Sequence, residues 1–63
     1  MEDYKARVLE EKKDLENKVA SLDKFISSNQ FNSVRFDEGL RMNAQLNVMK
    51  AYLDILVMRI ANF

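Results

Sequence analysis

MNAQLNVMKAYLDILVMRIANF, residues 42–63, is the stretch whose reading decides the fold. Large apolar side chains recur in it at Met42, Leu46, Met49, Leu53, Leu56, Ile60 and Phe63. The steps alternate between four and three, which lines one seam of an α-helix for packing against another helix. Neither Gly nor Pro interrupts the seam. A second row lies beside it at Val48, Tyr52 and Ile55, and Ala44, Ala51, Val57 and Met58 fill further angles. One apolar row per neighbour is the simplest arrangement, so this helix is expected to have at least two neighbours.

Working outward toward the N-terminus, residues 2–27 carry a matching pattern: Tyr4, Val8, Leu15, Val19, Leu22 and Ile26, flanked by Leu9 and Phe25. This predicts an amphipathic helix from about Glu2 to Ser27, with Glu2 and Asp3 at the positive end of its dipole. The face has a gap. Where an apolar residue is due after Val8, the chain offers Glu11 and Lys12. The remaining charges read as a solvated face. Between the two periodic segments, Ser27 to Ser33 is rich in Ser and Asn, which compete with helical backbone bonds, and predicts a loop over residues 28–35. Phe31 within it is expected to fold back over the end of the hairpin. The second helix is expected over about 36–62, with Ser33 or Asp37 as N-cap and some fraying at Gly39, which costs about 1 kcal/mol relative to Ala in a helix. Two long helices on a short loop return antiparallel. That register brings Arg7 toward Arg59 and places Tyr4 against Phe63.

The fold class is therefore all-α: an antiparallel two-helix hairpin forming a single domain. At 63 residues the chain is close to the lower size limit for a self-sufficient core. With neither Cys nor His, disulfides and the usual zinc sites are excluded. Assembly of the hairpin into a homo-oligomeric helical bundle, a dimer or tetramer, is the expected staple. Ten basic residues balance ten acidic ones, so no overall field draws in long nucleic acid or anionic lipid. The longest wholly apolar run, Ile55 to Met58, is far short of a membrane span, and the charged N-terminus lacks the apolar core of a signal peptide. A cytosolic location follows as the expectation.

Catalysis is not expected. There is no His, no Cys and no Gly-rich phosphate loop, and the hydroxyls cluster in the loop without a nearby base. No cofactor or metal is implied. The informative constellation is Tyr4, Arg7, Glu11 and Lys12 on the first helix with Gln45, Tyr52 and Arg59 on the second. Arg7 and Glu11 are one turn apart, and Gln45, Tyr52 and Arg59 form one row in steps of seven. Two guanidinium groups brought together need an anion between them. Glu11, bridging both arginines, is the structural answer. A bound phosphate, with a base stacked on Tyr4 or Tyr52, is the functional one.

A family resemblance bears on that choice. The first helix carries Y-x-x-R-V-x-x-E-K-x-x-L-x-x-K-x-x-x-L-x-x-F from Tyr4 to Phe25, followed by F-x-S-V at Phe31, Ser33 and Val34. The second carries Q-L-x-x-M-x-x-Y-x-x-x-L-x-x-R-I-x-x-F from Gln45 to Phe63. Over nearly its whole length the chain resembles a group of very small phage-encoded helical hairpins, relatives of a crAss-like phage protein. That group is similar to the phage sponge proteins that hold cyclic nucleotide immune signals without cleaving them, in symmetric oligomers, against CBASS-type or Thoeris-type defence. The resemblance implies a binder of a cyclic di- or trinucleotide in the cytoplasm of an infected bacterium. Arg7, Lys12 and Arg59 then hold phosphate, Tyr4 and Tyr52 stack on base, and Glu11 or Gln45 reads a base edge. Arg35, where a capping Ser, Thr or Pro is more usual in the group, and Gly39 depart from its pattern. The competing expectation is a structural or adaptor coiled coil that binds a partner helix along its second helix.

Overall fold

In the computed structural model, residues 3–63 are described, and Glu2, expected at the start of the first helix, lies outside them. Two helices, α1 (Asp3–Ile26) and α2 (Phe36–Ala61), are joined through a single 3-10 turn, Asn29–Ser33. They form an antiparallel hairpin, a rod of 48 × 15 × 14 Å. α1 ends where Ser28 takes over the bonding: its Oγ donates to the Phe25 carbonyl at 2.6 Å, and its backbone N–H to the same oxygen at 3.0 Å. Lys24 sits in the last turn of α1, where a cation suits the negative end of the dipole.

The seam read from the sequence is the seam that packs. Val8, Leu15 and Leu56 form the buried core, with Val19, Met49, Leu53 and Ile60 packed against them, and Leu46 is buried nearer the loop. Leu56, at 0% exposure, is the one fully buried side chain among the described residues. It touches the cluster on both sides of the polar gap, since Val8 and Leu15 stand on either side of the half-buried Glu11 and Lys12. At the open end, Tyr4 meets Phe63 edge-to-face with ring centroids 5.8 Å apart. The second row stays uncovered: Val48 is 68% exposed and Ile55 50%.

The loop end corrects two expectations. Gly39 is not a frayed position. It lies buried within α2, and Phe31 folds over it so closely that a Cβ there would sit 3.1 Å from the ring's Cζ. Phe31 also packs edge-to-face on Phe25 at 6.2 Å, so it closes the hairpin from both helices. The missing side chain gives room for the ring and offsets the helical penalty of Gly. Neither Ser33 nor Asp37 caps α2. The N-cap is Arg35, without a side-chain cap bond, and α2 starts one residue before Asp37. Asp37 instead accepts the N–H of Glu38 at 3.0 Å and lies within 3.4–3.5 Å of Arg35 and Arg41. Carboxylates in the first turn thus serve the dipole where no cap does.

Candidate functional site

One long face of the hairpin carries a groove along the line where α1 meets α2. Its half toward the open end, about 360 Å³, is lined by Arg7, Glu10, Glu11, Asp14, Leu15, Lys18 and Tyr52. The half toward the loop, about 510 Å³, is lined by Asn17, Lys18, Ser21, Leu22, Phe25, Met42, Gln45 and Met49. Lys18 borders both halves. The polar α1 residues recur in steps of three, four and seven, which keeps them on one edge of the helix beside the core seam. From Arg7 to Phe25 the groove spans about 27 Å at 1.5 Å per residue.

The two halves differ in chemistry. Near the open end, two cations, Arg7 and Lys18, stand among three carboxylates, Glu10, Glu11 and Asp14, around the 40%-exposed ring of Tyr52. Toward the loop, the walls are thioether and aromatic, from Met42, Met49 and Phe25, with amides and a hydroxyl from Asn17, Gln45 and Ser21 and one cation, Lys18. An aromatic and thioether floor with neutral donors and acceptors at its rim suits a flat heteroaromatic ring. Lys18 between the halves, and Arg7 farther toward the open end, suit attached anionic groups.

The residues singled out from the sequence are divided by this geometry. Arg7, Glu11 and Tyr52 share the open-end half, and Gln45 lines the loop half. Lys12 does not line the groove. Five residues after Arg7, it is turned about 140° around the helix, and its Nζ pairs with Glu16 Oε2 at 3.0 Å. Tyr4 is engaged with Phe63, and the Nζ of Lys5 lies 6.0 Å and 5.7 Å from the centres of those two rings. Arg59 is exposed, two turns beyond Tyr52 in the same row. No ion pair links Arg7, Glu11 and Arg59 among the described residues: the salt bridges are Lys12–Glu16 and those of Arg35 and Arg41 with Asp37 and Glu38. Most of the lining was not singled out by spacing, and Lys18 and Phe25 are the two missed residues that the groove's chemistry most depends on. The signal for Lys18 was its seven-residue step from Glu11, which returns it to the same edge of α1.

A family model, Sequestin, matches residues 2–62, nearly the whole chain. The chain belongs to the Sequestin family. No curated protein and no solved structure matches it. The Sequestin match takes in both helices and the turn, so every residue of the groove falls within the family's extent. The family's name points to sequestration, a task that asks for a holding surface rather than a reacting group. Among the described residues, no group of His, Cys, Asp or Glu is placed to hold a metal ion, and no helix is long and apolar enough to cross a membrane.

Proposed function

We propose that this protein sequesters a cyclic nucleotide second messenger, holding it intact in the groove between α1 and α2 as a phage countermeasure to cyclic-nucleotide defence. The observation that carries the reading is the shared position of Lys18. It stands where a groove half built of Phe25, Met42 and Met49 meets a half holding Arg7 and Tyr52. A nucleotide has the same division, with a flat apolar ring at one end and an anionic phosphate linked to it. In this reading one base lies against Phe25 and the methionines, with Gln45 and Asn17 on its edge. Lys18 and Arg7 take phosphate, and Tyr52 stacks on a second base. Glu10, Glu11 and Asp14 accept from amino or hydroxyl groups of the ligand, and they disfavour free polyanions that have no donors to offer. No nucleophile or base is needed, because sequestration ends with binding.

Purification from a bacterium that produces such a signal tests this. Mass spectrometry of the denatured protein is expected to release one intact cyclic nucleotide in stoichiometric yield. Release of a linearised product, or of no nucleotide from well-folded protein saturated with signal, would overturn the reading.

A further inference from the structure

The back of α2 carries a second heptad seam that the hairpin does not use. Leu40, Ala44, Val48, Ala51, Ile55 and Met58 are all exposed, the four larger ones at 50–68%. They lie roughly 165° around the helix from the seam that packs on α1. From Ala44 onward the steps are four, three, four and three, the repeat of a helix-pairing seam rather than of scattered surface residues. The face runs about 27 Å. Large and small side chains alternate along it from Leu40 to Ile55.

We infer that this face pairs with itself, a second copy of the chain docking α2 against α2 in an antiparallel, two-fold arrangement centred between Met49 and Lys50. In that register Ala44 meets the partner's Ile55, and Val48 meets the partner's Ala51. By symmetry each contact occurs twice. Each of the four central layers then holds one small and one large side chain, so those layers have similar volume and the helices approach closely, with Leu40 and the partner's Met58 closing each end. A parallel pair would stack Ala44 on Ala44 and Ile55 on Ile55, alternating voids with bulges, and voids cost packing energy. Helix dipoles also favour the antiparallel choice.

Charge supports the same register. Along one edge of the seam run Glu38, Gln45, Tyr52 and Arg59, in steps of seven. Antiparallel pairing sets Glu38 beside the partner's Arg59 at both ends and Gln45 beside the partner's Tyr52 between them. Arg59 is exposed and has no ion pair within its own hairpin among the described residues. Glu38 accepts from Arg41 at 2.9 Å, and Arg41 retains Asp37 at 3.5 Å when Glu38 is shared. A parallel pair could set Asp54 beside the partner's Arg59, so charge alone accepts both directions. The layer sizes decide between them. The apolar seam stands on the back of α2, and although its edge residues Gln45 and Tyr52 also line the groove, the pairing is read from mass and cross-linking without any nucleotide present.

Absence of native cysteine makes the test clean. Ala44→Cys and Ile55→Cys proteins, mixed and treated with a short bis-maleimide, are expected to give a cross-linked dimer, with either protein alone giving several-fold less, because each position is level with the other but about 16 Å along the axis from its own copy. Either variant alone cross-linking as well as the mixture would overturn the antiparallel register. A wild-type mass of one 7.4 kDa chain, measured at about 0.1 mM where even weak interfaces associate, would overturn pairing and leave the face to a foreign helix. As a second arm, Glu38→Arg or Arg59→Glu alone is expected to raise the dimer dissociation constant about tenfold through the two symmetric pairs. The double exchange should recover the wild-type value, and failure of recovery with unchanged helicity overturns the pairing of these edges.

Discussion

Leu56→Ala removes the side chain on which both sides of the polar gap close. Leu56 is fully buried and belongs to the same cluster as Val8 and Leu15. Deleting three carbons forfeits roughly 2.4 kcal/mol of transfer free energy at about 0.8 kcal/mol each, and Leu→Ala changes in cores cost about 2–5 kcal/mol once a cavity is included. The rod is only about two helices thick, 15 × 14 Å in section, so its walls can relax inward. That favours the lower part of the range, about 2–3 kcal/mol. At 0.05–0.15 kcal/mol per residue, a chain of this size has roughly 3–9 kcal/mol in all, so the loss is about a fifth of it or more. Urea unfolding followed by far-UV circular dichroism, at one fixed protein concentration, reads the change. Val57→Ala is the control: the next residue, 46% exposed, is expected to lose less than about 1 kcal/mol, as surface changes do. If Leu56→Ala costs no more than Val57→Ala, the packing described here is wrong.

Three further outcomes follow from the same geometry. Gly39→Val should destabilise the hairpin by about 1–3 kcal/mol, because a Cβ 3.1 Å from Phe31 Cζ already crowds the ring; a rise in urea midpoint would contradict the close approach. Lys12→Leu should raise stability by about 1 kcal/mol, since the lost Lys12–Glu16 pair is worth only a few tenths, and should leave ligand affinity unchanged; a drop in affinity would put Lys12 back in the site. Ile55→Asp should shift the mass in light scattering toward the single 7.4 kDa chain while the protein stays helical, and an unchanged dimer would contradict the α2 back face as the interface.

Most of the fold was legible because it is set by a repeat. The steps from Met42 to Ile60 fix a face, and Leu46 and Leu56 on it are buried as that face requires. The loop end was less legible, since Gly39 is judged by helix propensity as a weakness while its use, clearance for Phe31, depends on a contact eight residues away in sequence. The cap was misjudged for a related reason: Asp37 has the chemistry of an N-cap, but α2 begins before it. At the site, spacing could say that Arg7 and Glu11 share an edge and that Tyr52 and Gln45 share a row, and the groove joins those residues. It could not say which way long exposed side chains turn. Lys12 pairs within α1, and Arg59 has no ion pair among the described residues, because rotamers of such residues follow local partners rather than helical period.

Binding in the groove is read out by calorimetric titration of the wild type, Lys18→Ala and Tyr52→Ala with a panel of cyclic di- and trinucleotides. Saturable heat with at least one panel member is expected, with no hydrolysis of the recovered ligand. Lys18→Ala should weaken that binding by about 1.5–3 kcal/mol, as expected when a charge-assisted hydrogen bond is lost, and Tyr52→Ala by about 1–3 kcal/mol for a lost stack. Absence of heat for every nucleotide with a well-folded wild type, or binding that neither substitution weakens, would contradict binding in the groove.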